Sequence, residues 1–362
     1  MLADNNTPFA AIGFEHNHRD GMSMAVVAAR GTFELMAGGR LQLAARQALV
    51  LTDVYEGQPL TTPLIRAGDL IPFKPFADIT ILADAHAPGG KPARTWDIGL
   101  RVDEANHGLR VHAARVWRWE KSPHDLGAWY LRYTENGATQ IPLDYRLAVG
   151  GKLHGDPHAE PDPRNPLGRA GMAQSDAVKR DATYPAAQIE STLAPVTNPF
   201  HLPEPEGLGP VAPWWQWRLR HAGTYDDDWH KMRAPRPPHD FQYRFHQVAH
   251  PELILPSHFR GGEVIQLAGM VPGGGAVGFR LPDIAPWAVF DFIDGRQVQA
   301  RLNCDGVHID LRQGPPWRLD LTWRAWMASC PQFWKVDLNQ CKYAEAAHLP
   351  FSNETGLVEA RG

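Results

Sequence analysis

Glycine and proline constrain this chain more than any other residues. The 362 residues include 33 glycines and 32 prolines, well above average usage. Both residues break helices, because proline lacks an amide donor and glycine loses much backbone freedom on ordering. Such a chain favours many short strands joined by tight turns. We therefore predict a mainly β fold, with an antiparallel β-sandwich or barrel-like sheets, a Pro/Trp-rich loop region and few short helices.

The sequence divides into four regions by its pattern. The middle is dense in proline but also rich in aromatic residues, which disordered linkers lack. We expect a short helix near Val336 to Ala347. The four expected regions are an N-terminal antiparallel β region at 1–150, a Pro- and aromatic-rich loop region packed on the sheets at 151–256, a second β meander at 257–325 and a C-terminal tail at 326–362.

Turn signals between alternating runs predict hairpins. Gly38-Gly39 and the Pro272 to Gly275 segment each separate two strand-like runs. Asp294-Gly295 and Asp305-Gly306 are Asp-Gly pairs, which are among the strongest short hairpin signals. Asn106 to Gly108 is expected to supply the turn between two further strands.

Charge, hydropathy and cysteine content exclude several classes of protein. The net charge of −4 gives no basic footprint for nucleic acid. No apolar run reaches the ~18 residues of a membrane helix, and the N-terminus lacks a secretory signal pattern. Cys304, Cys330 and Cys341 are too sparse for a disulfide framework, so we expect reduced thiols. The sequence predicts a cytoplasmic protein with no nucleic-acid partner and no membrane insertion.

No catalytic, cofactor or metal constellation is evident, so we expect no enzyme. The chain has no G-x-S-x-G nucleophile elbow. His86 to Pro92 resembles a phosphate loop only superficially, because Pro92 stands where that loop needs Ser or Thr opening a helix. His16 and His18 share a strand face, but no third ligand follows by spacing. Paired carboxylates meet in space rather than in sequence, which keeps a carbohydrate-binding or carbohydrate-active β protein as the alternative.

The tryptophan content indicates protein binding. The chain has 13 tryptophans, and Trp is enriched in the hot spots of protein interfaces. Burial in the chain's own core is an equally ordinary fate for Trp. A purely structural module of a larger particle is a third interpretation. The candidate residues for binding a protein partner are Trp214, Trp215, Trp217, Tyr225, Trp229 and Phe241.

A series of short motifs along the chain matches the pattern of one family in order and number. None of them is specific alone. They are T-P-F (Thr7 to Phe9), K-x-x-x-D (Lys74 to Asp78), HAPGGKP (His86 to Pro92), RVW (Arg115 to Trp117), PLDYRLAVGG (Pro142 to Gly151), DPRNPLGR (Asp162 to Arg169), AGTYDDDW (Ala222 to Trp229), RAPRPPHDFQYRF (Arg233 to Phe245) and RGGE (Arg260 to Glu263).

These motifs resemble domain-of-unknown-function family 2169, bacterial accessory proteins of type VI secretion. The resemblance implies an adaptor or chaperone that binds a cognate effector and helps load it onto the spike or PAAR tip, without catalysis. The implied partners are a type VI effector and a PAAR-domain or spike protein. After about Trp323 no shared motif is present, so the resemblance implies no role for the tail.

Overall fold

The computed structural model describes residues 1–121, 123–124, 126–169, 171–329, 332–352 and 358–359. Within them the protein is mainly β, which confirms the predicted fold class. Cys304 and Cys341 are free thiols. Cys330, the third expected thiol, lies outside the described residues, as does most of the tail after Ser352.

The described helices are short, and the longest strands are β3 and β22, with 13 and 12 residues. The strands are β1 (Leu2–Asn5), β2 (Ala10–Asn17), β3 (Ser23–Leu35), β4 (Leu41–Leu43), β5 (Val54–Tyr55), β6 (Leu64–Arg66), β7 (Ala77–Leu82), β8 (Asp84–His86), β9 (Thr95–Val102), β10 (Ala105–His112), β11 (Arg115–Glu120), β12 (Ala128–Tyr133), β13 (Gln140–Pro142), β14 (Thr183–Pro185), β15 (Ile189–Ser191), β16 (Ile254–Leu255), β17 (Val264–Val271), β18 (Gly275–Arg280), β19 (Ala285–Phe292), β20 (Gln297–Arg301), β21 (Asn303–Asp310), β22 (Trp317–Ala328), β23 (Phe333–Cys341), β24 (Phe351–Ser352) and β25 (Val358–Glu359). The helices are α1 (Gln216–Leu219) and α2 (Asp227–Met232), with single 3-10 turns at Pro88–Gly90, Tyr145–Leu147, Tyr243–His246, Pro251–Leu253 and Pro272–Gly274.

Three large sheets carry most of the strands. The seven-stranded sheet has the order β16-β7-β21-β22-β3-β2, with β4 also paired to β3. The five-stranded sheet has the order β15-β10-β9-β17-β18, and the six-stranded sheet the order β1-β23-β19-β20-β24-β25. Pairing is mostly antiparallel, but β7 and β21 run parallel inside the seven-stranded sheet. Strands from residues 1–150 and 257–325 therefore share sheets, while the division of the chain at 150, 256 and 325 stays a prediction.

The three large sheets bury their apolar faces in one core. Ile79 and Ile309 enter it from the seven-stranded sheet, Leu100 from the five-stranded sheet and Phe290 from the six-stranded sheet. The alternation Trp96, Ile98, Leu100, Val102 in β9 is buried as its period of two predicts. Burial of this kind supplies the main favourable free energy of folding.

The predicted hairpin at Asp305-Gly306 is wrong. Both residues lie inside β21, where the pairing with β22 shifts register at a bulge. Asp305 is buried and pairs with Arg324 of β22, which holds this dipeptide within the ladder. Gly306 also lacks the positive φ that a tight Asp-Gly hairpin requires. The hairpins at Gly38-Gly39, Pro272 to Gly275 and Asp294-Gly295 do form.

The turn expected at Asn106 to Gly108 is also misplaced. These residues lie in β10, where His107 pairs with Leu100 of β9. The chain reverses at Asp103 and Glu104, and Asp103 takes a positive φ of 48°. Asp tolerates this left-handed conformation better than most residues.

The short helix expected near Val336 to Ala347 is replaced by a strand. β23 covers Phe333–Cys341 and pairs with β19 and β1. Val336 and Leu338 are fully buried in the common core. Their spacing of two matches a strand with one buried face, and tertiary packing outweighs the local helical tendency of this segment.

Part of the aromatic middle region packs on the seven-stranded sheet. Phe241 and Tyr243 form a buried cluster with Met24, Val26 and Trp326. The alternate residues of β3 face the common core, so both faces of this strand are covered.

A buried carboxylate ties the middle region to β7. Asp78 accepts hydrogen bonds from Lys74 Nζ (2.8 Å), Gln247 Nε2 (2.6 Å) and the Val248 amide (2.7 Å). The K-x-x-x-D motif is thus an internal ion pair. Among the described residues no helix is long and apolar enough to span a membrane.

Candidate functional site

A closed loop, here called the aromatic arm (residues 223–240), projects from the middle region. At its base the Thr224 amide and hydroxyl donate to the Asp240 carboxylate at 3.0 and 2.8 Å. Asp226 caps α2 by accepting from the Trp229 amide at 2.8 Å. The Trp229 indole donates to the Arg236 carbonyl at 2.9 Å. Local polar contacts therefore hold the arm in shape without a core of its own.

The arm exposes apolar side chains to solvent. Met232 is 85% exposed and Tyr225 is 55% exposed. The Tyr225 ring meets the half-buried Trp229 ring edge-on, with centroids 4.6 Å apart. Leu219, just before the arm, is 54% exposed. Apolar groups gathered in this way on a surface usually mark an interaction site.

A cavity of about 310 Å³, here called the arginine groove, lies beside the base of the arm. α1, the two residues that follow it and the 3-10 turn at Tyr243–His246 supply its basic residues, and Ile254 of β16 also lines it. The aromatic and basic residues of its lining are Phe76, Trp217, Arg218, Arg220, His221 and Arg244.

The groove is basic and has no carboxylate in its lining. Arg218 is buried and donates to the carbonyls of Val211 and Phe245, each at 2.9 Å. Burial lowers the pKa of Arg218. Arg244 stacks over Phe76 at 4.8 Å. Asp53 and Asp78 lie outside the lining but act electrostatically on Arg218 and favour its charged form.

The two outer arginines of the groove are available to a partner. Neither Arg220 nor Arg244 lies within ion-pair distance of a carboxylate in the described part of the chain. Both are exposed. An arginine can bind a carboxylate through two parallel charge-assisted hydrogen bonds, so this groove suits an acidic group.

Two of the six predicted binding residues are in the core. Trp215 is 1% exposed and packs edge-on against Tyr145, with centroids 5.0 Å apart. Phe241 is 5% exposed within the cluster on the seven-stranded sheet. Neither ring reaches a partner without rearrangement of the fold.

The other four predicted residues occupy two neighbouring places. Trp214 and Trp217 are half-buried against Trp215, and Trp217 also lines the arginine groove. Tyr225 and Trp229 lie together on the aromatic arm. The structure thus brings Trp217 to the groove and the Tyr225–Trp229 pair to the arm.

The charged half of this surface is not among the residues predicted from the sequence. Arg218 and Arg220 follow Trp215 and Trp217 in the run WWQWRLR, which is a signal for a mixed basic and aromatic face. Arg244 had no such signal, because it reaches the groove only through the folding of a distant segment.

A second polar group lies behind the groove and has the donor set of a metal site. His107, Glu206, His250 and Glu252 place one ligand atom each within 4.8 Å of one another. Trp217 separates this group from the groove, because its ring meets His250 edge-on at 4.9 Å. Burial and the nearby Glu252 charge raise the pKa of Glu206 to about 7. Burial lowers the pKa of His250 to about 4.

Sequence spacing provided no signal for this group, since its residues come from three separate segments. The two histidines that did attract attention are elsewhere. His16 contacts the Asn17 carbonyl at 3.0 Å, and His18 stacks between Tyr243 and Trp326.

The fold and site define a mainly β protein that carries an arginine-lined groove beside an exposed aromatic arm. Residues 20–324 match the family described as "Uncharacterized protein conserved in bacteria (DUF2169)". The chain belongs to this family. The match begins after the Thr7 to Phe9 motif and ends close to Trp323. No curated protein and no solved structure matches the chain.

Proposed function

We propose that this protein is a non-catalytic adaptor of type VI secretion, which binds a cognate effector and helps load it onto the spike or PAAR tip. The arginine groove next to the aromatic arm is the observation that carries this proposal. The motif resemblance to the accessory proteins of this system supplies the biological setting. The partner segment would be acidic and would carry apolar side chains.

Charge in the groove supports an acidic partner. The chain as a whole is acidic, at −4, yet the groove lining contains three arginines and no carboxylate. Opposite charges across an interface steer encounter and select the partner. The exposed Arg220 and Arg244 would each pair with a carboxylate of the effector.

The arm supports the apolar part of the same contact. Tyr225 and Met232 are exposed, and a short ordered loop offers them at low entropic cost. Aromatic and Met side chains are enriched at protein interfaces. An adaptor must cover apolar effector surface before assembly, and an arm beside a groove would do this without catalysis.

The test is co-purification of the tagged protein with the products of its neighbouring effector and PAAR genes. We expect a complex of near-equal amounts. The double variant Arg220→Ala/Arg244→Ala should weaken binding at least tenfold and reduce its dependence on salt, because groove charges contribute to association. Binding is measured by titration calorimetry at two ionic strengths.

The matched control is Arg40→Ala/Arg46→Ala. It removes the same charge from two exposed arginines that do not line the groove. Equal losses from both double variants would show a general charge effect and contradict the groove assignment. Recovery of the protein alone from cells with a working secretion system would contradict the adaptor role and favour the carbohydrate-binding alternative.

A further inference from the structure

The buried side chains His107, Glu206 and His250 meet at one point between three segments of the chain. His107 lies on β10 of the five-stranded sheet. Glu206 lies on a buried segment without regular secondary structure, and His250 precedes the 3-10 turn at Pro251–Leu253. All three are buried, with exposures of 9%, 5% and 3%. Three polar groups have thus been removed from water at one place.

Two of the three polar atoms at this point lack ordinary partners. His107 Nε2 and Glu206 Oε2 are buried without a hydrogen bond. They face each other at 3.6 Å, and His250 Nε2 lies 3.8 Å from the same Glu206 oxygen. A buried carboxylate oxygen without a donor or cation is costly. A cation between these three atoms would remove that cost.

The separations fit a metal site. Ligands at about 2.0–2.1 Å from a tetrahedral Zn²⁺ lie roughly 3.3 Å apart. The Glu206 oxygen lies 3.6 Å from the His107 nitrogen and 3.8 Å from the His250 nitrogen, and the ligand atoms of the group all lie within 4.8 Å of one another. The His250 Nε2 contact with the Pro205 carbonyl, at 3.1 Å, would be exchanged for the metal bond. His250 Nδ1, which accepts from the Glu252 amide at 3.3 Å, would then carry the ring proton, so that contact would be lost as well.

The fourth residue supplies the supporting contact that metal-binding histidines usually have. Glu252 Oε2 lies 3.0 Å from His107 Nδ1, so that nitrogen donates to the carboxylate and leaves Nε2 free for a cation. A carboxylate that holds the second ring nitrogen fixes the tautomer and the ring orientation. The side chain of Glu252 is 66% exposed, which places the group near solvent.

We propose that His107 Nε2, Glu206 Oε2 and His250 Nε2 bind a divalent transition-metal ion such as Zn²⁺, with Glu252 as the residue that positions His107. Water completes the coordination. Two imidazoles and one carboxylate are a donor set for such ions rather than for Mg²⁺, which prefers oxygen. The ion joins the five-stranded sheet to the middle region directly behind Trp217 and the arginine groove. This proposal is independent of the adaptor function.

The test uses the full-length protein with any histidine tag removed, stripped by a chelator and titrated with ZnCl₂. We expect one Zn²⁺ per chain at micromolar or tighter affinity, a rise in melting temperature on addition and a visible absorption band with Co²⁺. MgCl₂ should produce none of these. Absence of Zn²⁺ binding by the folded wild-type protein would overturn the proposal.

Substitutions of individual carboxylates test which side chains bind or support the metal. Glu206→Gln should abolish binding, and Glu252→Gln should weaken it about 10- to 100-fold, as loss of an outer-shell carboxylate does. Glu204→Gln is the matched control, because the Glu204 side chain has the same 66% exposure and pairs instead with Arg164. Binding should be unchanged in that control.

If substitution of a buried ligand prevents folding, Glu252→Gln still tests the site, because Glu252 is exposed. Glu252→Gln alters an exposed side chain and should retain the wild-type melting temperature in chelator while losing most of its rise with Zn²⁺. Unchanged Zn²⁺ binding in Glu206→Gln would place the metal elsewhere and refute the assignment. A full rise in melting temperature with Zn²⁺ in Glu252→Gln would refute it as well.

Discussion

Several residues of the family motifs act inside the fold rather than at a surface. Asn165, in DPRNPLGR, is fully buried and donates to the carbonyls of Tyr145 (2.8 Å) and Val149 (2.7 Å). Gly150 has a φ of 139°, and a Cβ there would come within 2.1 Å of the Asn165 carbonyl oxygen. These motifs therefore connect loop backbones, which need buried partners for their polar groups.

Glu190 is a buried carboxylate whose charge the fold requires. His112 Nε2 lies 2.8 Å away, and Arg115 Nη2 lies 2.7 Å away. Burial alone would raise the pKa of Glu190, but these two partners and the Val196 amide lower it from 4.5 to about 2. Because the folded pKa is the lower one, the charged form stabilises the folded protein above the unfolded pKa. That stabilisation is lost as pH falls through the folded pKa.

The variant Glu190→Gln should test this linkage. We expect the difference in unfolding free energy between wild type and variant to be about 3 kcal/mol larger at about pH 6 than at about pH 2, since one pKa unit corresponds to about 1.4 kcal/mol. Urea unfolding at both pH values measures it. The exposed Glu104→Gln variant is the control, and a difference that does not change with pH would contradict the assigned role of Glu190.

At the scale of single elements, the aromatic arm differs from the strands because side-chain hydrogen bonds define its shape. The Thr224–Asp240 pair closes it, and Asp226 starts α2. Trp215, by contrast, lies in a packed cluster and is part of the framework. The exposed Tyr225 and Met232 are therefore better candidates for an interface than Trp215.

Opening the arm should be a local event. In Asp240→Ala the two hydrogen bonds at its base are lost, so we expect faster tryptic cleavage after Lys231 and Arg233 with a melting temperature close to that of the wild type. Limited proteolysis with mass spectrometry and a thermal scan measure the two effects. A large fall in melting temperature, without selective cleavage in the arm, would show that the arm is part of the cooperative core.

At the scale of the molecule, the C-terminal part completes a sheet although the family match ends at residue 324. β23 lies between β1 and β19 of the six-stranded sheet. Phe333, Val336 and Leu338 bury their side chains in the common core. The N-terminal strand β1 depends on β23 for its pairing.

Truncation after Ser329 should therefore destabilise the whole protein. Loss of three buried apolar side chains costs about 1.5–3 kcal/mol each, which is a large part of the stability of an ordinary domain. Truncation after Cys341 keeps β23 and is the matched comparison. Circular dichroism and chemical unfolding measure the stability of both truncated forms. If the form that ends at Ser329 were as stable as the full chain, this role of β23 would be contradicted.

The sequence by itself determined the class of fold and many of its local elements. Strand alternation in β9 and the hairpins at Gly38-Gly39 and Asp294-Gly295 depend on side chains and turn residues close together in the chain. Such features follow from local chemistry, because period-two burial and left-handed turn residues are visible in a short window.

Only the tertiary structure decided which aromatic residues are exposed and which charges meet. Trp215 and Trp229 look alike in sequence, but one is core and the other lies on the arm. His107 and Glu206 are distant in sequence and become neighbours only when β10 packs beside the 205–211 segment. Burial and ligand geometry depend on such long-range contacts, so residue types and their spacing define the strands but not the site.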